Sequence, residues 1–138
     1  DNKKMALQIG AFNYSQEDYG MYFIYSLPMG QTSEEDLMKE IDEEIAKLQT
    51  ELISEKDYEK LQNKFESQYV NSNASVEGIA NNLATYYLLY GDIKLINTEI
   101  DIYRSITREE IKEVANKYLK PNQRMVLDYV PASEKTQN

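Results

Sequence analysis

The sequence predicts an α+β fold in two layers, an antiparallel sheet covered by helices, in the order strand, strand, five helices, strand. Three observations carry that expectation. Apolar residues alternate in two runs near the start, recur at spacings of three and four through the middle, and form a short β-favouring run after Pro121.

Met5, Leu7, Ile9 and Ala11 alternate with Ala6, Gln8, Gly10 and Phe12, and beyond the polar residues 15–20 a second alternation runs through Met21, Phe23, Tyr25 and Leu27. This is the pattern of a two-strand hairpin. Pro28 and Gly30 end it, and Thr32 with Glu35, or Ser33 with Asp36, then offers a side-chain cap for the first free amides of a helix. Leu37, Ile41, Ile45, Leu48 and Leu52 form the apolar stripe of that helix, with Glu34, Glu35 and Asp36 at the positive end of its dipole. Ser54 and Asp57 mark a second start, and Tyr58, Leu61, Phe65 and Tyr69 carry its stripe to about Val70, where Asn71-Ser72-Asn73 breaks it. Ser75 opens a third helix with the broadest apolar face, Ile79, Ala80, Leu83, Ala84, Tyr87 and Leu88, closed by Gly91. That breadth predicts the most buried helix of the set. A short fourth helix is expected over 93–103. Thr107 and Glu110 make a capping box before Ile111, Val114, Ala115, Tyr118 and Leu119, and Pro121 forbids continuation. Met125 to Val130 then reads as a strand, ahead of Pro131 and a polar tail over 132–138. Two hairpin strands and one distant strand make a thin sheet, so residues 1–131 are expected to be a partial domain whose missing pieces precede Asp1.

Composition narrows the chemistry. At 138 residues there is room for one domain, and 24 acidic against 15 basic side chains give a net charge of -9. Such a surface repels phosphate backbones and anionic lipids, and no apolar run is long enough to span a bilayer, so neither nucleic acid nor membrane insertion is expected. Histidine and cysteine are both absent. Zinc held by imidazole or thiolate, Ser-His-Asp and Cys-His nucleophiles, iron–sulfur clusters and disulfides are therefore outside the reach of this chain alone.

The remaining candidates favour structural roles. Carboxylates cluster at Glu34, Glu35 and Asp36, at Glu43 and Glu44, and at Glu109 and Glu110. Dipole and capping account for those in first helical turns, and adjacent helical side chains diverge by about 100 degrees instead of converging on a cation. Residues 33–66 hold 12 acids and 5 bases, the charge pattern of a solvated helical face. Ser33, Ser54 and Ser75 are expected as caps and not as nucleophiles. Five scattered glycines make no phosphate loop. Tyr86, Tyr87 and Tyr90 could wall a ligand, but Tyr87 lies on the apolar stripe, so packing with the flanking hydroxyls wet is expected. The sequence thus nominates no catalytic, cofactor-binding or metal-ligating residue, and substrate-binding residues stay unassigned.

The segment from Met5 to Pro131 resembles the C-terminal domain of insulinase-type zinc peptidases, the group of pitrilysin and mitochondrial processing peptidase. The resemblance lies in a succession of short pieces. Ile9-Gly10-Ala11-Phe12 ends an alternating strand, Gly20-Met21-Tyr22-Phe23-Ile24-Tyr25 returns, and Thr32-Ser33-Glu34-Glu35 opens a long helix. Ser54 to Lys64, Leu88-Leu89-Tyr90-Gly91, Tyr103 with Ile106 to Ile111, Val114 to Leu119, and Asn122 to Pro131 follow in order. The resemblance implies a non-catalytic domain that helps to enclose a peptide-binding chamber, with zinc held by an H-x-x-E-H helix in another domain of the same protein or in a partner subunit. It implies extended or unfolded peptides as ligands and, for bacterial relatives, export to the cell envelope or periplasm. Active relatives lend an arginine and, seven residues on, a tyrosine to hold substrate; by that spacing the tyrosine position falls on Leu7, which has no hydroxyl. The alternative reading is a freestanding acidic helical adaptor for protein partners.

Overall fold

The computed structural model describes residues 4–129. Its elements are β1 (Ala6–Ser15), β2 (Gly20–Pro28), α1 (Glu34–Thr50), α2 (Glu55–Ser72), α3 (Val76–Tyr90), α4 (Leu95–Ser105), α5 (Arg108–Tyr118) and a 3-10 turn over Pro121–Gln123. The fold is α+β, as the sequence predicts. The strands pair antiparallel with Phe12 opposite Phe23 and Ser15 opposite Gly20, and the register slips between Ala6 and Gln8, leaving Leu7 as the extra residue.

Local chemistry sets the helix starts. Ser33, Ser54 and Ser75 each accept a hydrogen bond from the amide three residues on, at Asp36, Asp57 and Gly78. Thr107 and Glu110 form a reciprocal capping box, with the Thr107 amide donating to Glu110 at 2.7 Å. These backbone and hydroxyl donors hold the Glu110 carboxyl below its ordinary range. Gly91 closes α3 at φ 66, a left-handed conformation that carries no Cβ penalty for glycine.

Two helical pairings organise the chain. α1 packs on α5, while α4 lies against α2 and α3. The first pairing is locked by polar groups at its ends. Gln49 donates to the carbonyls of Ala115 and Leu119 at 3.2 and 2.8 Å, while Lys112 and Asn116 donate to the carbonyls of Thr50 and Gln49 at 2.7 and 2.9 Å. Each helix thus donates to carbonyls in the last turn of the other, and the Ala115 carbonyl, which already accepts the Leu119 amide, takes Gln49 as a second donor. In the second pairing Phe65 and Tyr103 stack with centroids 4.8 Å apart, and the Tyr69 hydroxyl donates to the carbonyl of Ile96.

Two expectations are corrected. Arg124 to Tyr129 carry no strand, and Val130 lies outside the described residues, as does the polar tail over 132–138. The backbone at Arg124 is extended (φ -113, ψ 152), but a strand also needs a ladder partner, and the only described sheet is β1-β2. Met125, Leu127 and Tyr129 instead project into solvent. The third helix also turns a different face inward. Tyr86 is buried, whereas Tyr87 and Leu88 are exposed. Apolar residues surround most of α3, so periodicity leaves its rotation open; Tyr86 settles inward because Glu99 of α4 accepts its hydroxyl.

The core is small. Only Leu37, Tyr86 and Ala115 fall in the buried class among the described residues. A compact monomer of 16.1 kDa is expected to expose about 7,400 Å². This chain exposes 11603 Å², roughly half as much again by that scaling.

Candidate functional site

The hairpin carries more exposed large apolar side chains than any other described element. β1 (ALQIGAFNYS) and β2 (GMYFIYSLP) contain no charged residue, in a chain where 39 of 138 are charged. Pairing register places Phe12, Tyr14, Met21, Phe23 and Tyr25 on one face and Ile9, Tyr22 and Ile24 on the other. Both sets are exposed. On the first face Phe12 stacks on Phe23 at 5.1 Å and meets the edge of Tyr25 at 6.3 Å, and the Tyr25 ring lies so close over Gly10 that a Cβ there would fall 2.6 Å from it. The aromatic face is therefore preassembled. Helix α1 touches β2 but leaves most of the hairpin open.

A strand that is apolar on both faces has the composition of one covered on both faces. The edges tell the same story. Exposed edge strands are ordinarily blunted by lysine, internal proline or inward charge, and here neither strand has a charge while Pro28 stands only at the end of β2. Leu7, the position that the resemblance assigns to a substrate-holding tyrosine, lies at the register slip in β1 and is 67% exposed. Its aliphatic side chain adds to the apolar surface and offers no hydrogen bond.

The carboxylates do not gather. No group of three or more Asp or Glu residues among the described residues is placed to hold a metal ion. Asp36 is occupied with Ser33 at 2.7 Å, Glu44 with Lys47 at 2.6 Å and Glu110 with Thr107. The donor set does not fit zinc, because the sequence offers neither imidazole nor thiolate. Tyr86 and Tyr103 are the perturbed tyrosines. Burial raises both above the ordinary phenol range, and for Tyr86 the bond to Glu99 raises it further. Tyr86 is thereby a packed tie between α3 and α4, while Tyr87 and Tyr90 are exposed and form no enclosed wall with it.

Alternating apolar residues in the sequence locate the hairpin, and the predicted two-layer arrangement covers its sheet with helices. The signal for two exposed apolar faces was the absence of charge from both strands.

A different surface lies along α1 between Glu34 and Ala46. The segment Arg124–Asp128 runs beside this helix and flanks with it an open cleft of 820 Å³. Arg124 donates to Asp42 through both terminal guanidinium nitrogens, one of them at 3.1 Å.

No family model matches the chain, and no curated protein matches it. Solved structures do. A protease from Helicobacter pylori superposes with a TM-score of 0.80 at 22% identity, over 89% of this chain and 30% of that one. The inactive peptidase domain of a candidate zinc protease from Bordetella parapertussis gives 0.80 at 20% identity, over 98% of this chain and 71% of that one. A candidate zinc protease from Bordetella pertussis Tohama I gives 0.79 at 19% identity, over 94% and 71% respectively. At these identities the likeness defines the fold: the chain has a zinc-protease-like fold. It spans under a third of the Helicobacter protease.

Proposed function

We propose that the chain serves as a non-catalytic domain of an insulinase-type zinc peptidase, of the C-terminal kind, and helps to enclose a chamber for extended peptides. The zinc centre would lie in another domain of the same protein or in a partner subunit. One observation carries this reading: a fold shared with zinc-protease domains, one of them described as inactive, stands in a chain without a single histidine or cysteine. The uncharged hairpin supports it as well, since an apolar ribbon open on both faces and both edges suits docking against further polypeptide. The adaptor alternative has weaker support, because it leaves the uncharged, exposed hairpin incidental.

The test is hydrolysis of a quenched, unfolded peptide by the isolated chain with zinc added. No zinc-dependent turnover is expected. Zinc-dependent cleavage that follows the chain at constant specific activity through successive purification steps would refute the proposal.

A further inference from the structure

The cleft between α1 and Arg124–Asp128 is a groove with an apolar floor and an acidic rim. Met38 and Val126 contribute the floor, and Glu34, Glu35, Glu43 and Asp128 stand around it. None of these four carboxylates is in an ion pair among the described residues, and the groove holds five carboxylates against two cations once Asp42, Lys39 and Arg124 are included. The bidentate Arg124–Asp42 pair ties one wall to the other.

From this geometry we infer that the groove is a docking site for a cationic polypeptide segment, one in which lysine or arginine residues are interspersed with apolar side chains. Charge selects the occupant. A second copy of the chain, at -9, and nucleic acid are both repelled by this rim. A metal ion is a poor match because the carboxylates are spread along the groove and do not converge in threes. Spaced ammonium or guanidinium groups match spaced carboxylates, while apolar side chains between them cover Met38 and Val126. The inference stands apart from the peptidase reading, since it uses neither the hairpin nor the fold likeness.

Fluorescence anisotropy with a labelled peptide of alternating lysine and leucine tests it, against a peptide of alternating serine and leucine and one of alternating lysine and serine. Binding of the lysine–leucine peptide is expected to exceed that of both others and to fall as salt rises past about 0.15 M, where screening acts over about 8 Å. Joint replacement Glu34→Gln, Glu35→Gln, Glu43→Gln and Asp128→Asn should weaken it by about 10-fold or more, the loss of roughly 1.4 kcal/mol. A control neutralises as many carboxylates elsewhere, Glu51→Gln, Glu59→Gln, Glu77→Gln and Glu113→Gln, and should change binding by less than about 3-fold if the groove acts locally. The floor variant Met38→Gln with Val126→Gln should erase the preference for leucine over serine. Equal losses in the groove and control variants would show that net charge alone attracts the peptide and would overturn the inference. So would absence of binding at low salt.

Discussion

Replacing Tyr86 by phenylalanine removes one oxygen atom and isolates the worth of the tie between α3 and α4. The ring keeps its packing, so the loss is that of a hydroxyl donating to the Glu99 carboxylate. A hydrogen bond to a charged group contributes about 1.5–3 kcal/mol, and Glu99 is only half-buried, so water recovers part of it. We expect a loss of about 1–2 kcal/mol. With an unfolding entropy of roughly 2.1 cal/mol/K per residue, this lowers Tm by about 3–7 °C for a chain of this length. Far-ultraviolet circular dichroism on heating measures it, and Glu99→Gln completes a double-mutant cycle in which the two changes should not add. The pH dependence supplies a second readout. Burial first, then the bond to Glu99, raises the Tyr86 phenol, so the folded state holds this proton more tightly than the unfolded chain does. The stabilisation is therefore complete below the ordinary tyrosine value of about 10 and is lost as pH rises towards the folded-state value. The gap between wild type and Tyr86→Phe should narrow in alkali. A change below about 0.3 kcal/mol, or strict additivity with Glu99→Gln, would show that the contact does not stabilise the fold.

Other consequences follow from the same coordinates. Thr107→Ala removes the α5 capping box and should cost about 1 kcal/mol at neutral pH, measured by urea unfolding. Because Glu110 is held below its ordinary range, its share is present above that range and lost as pH falls through the folded-state value, so the Thr107→Ala penalty should shrink in acid. Gly91→Ala places a Cβ on a left-handed residue with open space around it, so the expected cost, about 1 kcal/mol by the same assay, is conformational and not steric. Ile9→Lys with Tyr22→Lys puts charges on one open face of the hairpin and should reduce binding of a hydrophobic dye while helical circular dichroism is unchanged. Loss of helix in that variant would mean that this face is already covered by the helices.

Much of this architecture is written locally. Ser33, Ser54, Ser75 and Thr107 each start a helix where an oxygen three residues before an amide predicts it, because a cap requires only nearby atoms. What fails is what depends on distant partners. Met125 to Val130 has strand-favouring residues, yet the described part becomes an extended segment held at Arg124 by Asp42, since propensity shapes a backbone without supplying a neighbour to pair with. Helix α3 offers Tyr87 as plausibly as Tyr86 for the interior, and the choice falls to Glu99, a residue on another helix. The groove was hidden for the same reason: Glu34, Glu35 and Glu43 read as a solvated helical face until Asp128 and Val126 are brought alongside.

The proposed function divides the labour: this chain would supply enclosure, and another domain of the same protein or a partner subunit would supply the zinc. Calorimetric titration of the purified chain with zinc at neutral pH addresses that directly. No stoichiometric site is expected, and at most weak heats from scattered carboxylates. One tight equivalent of zinc bound by these 138 residues would contradict it.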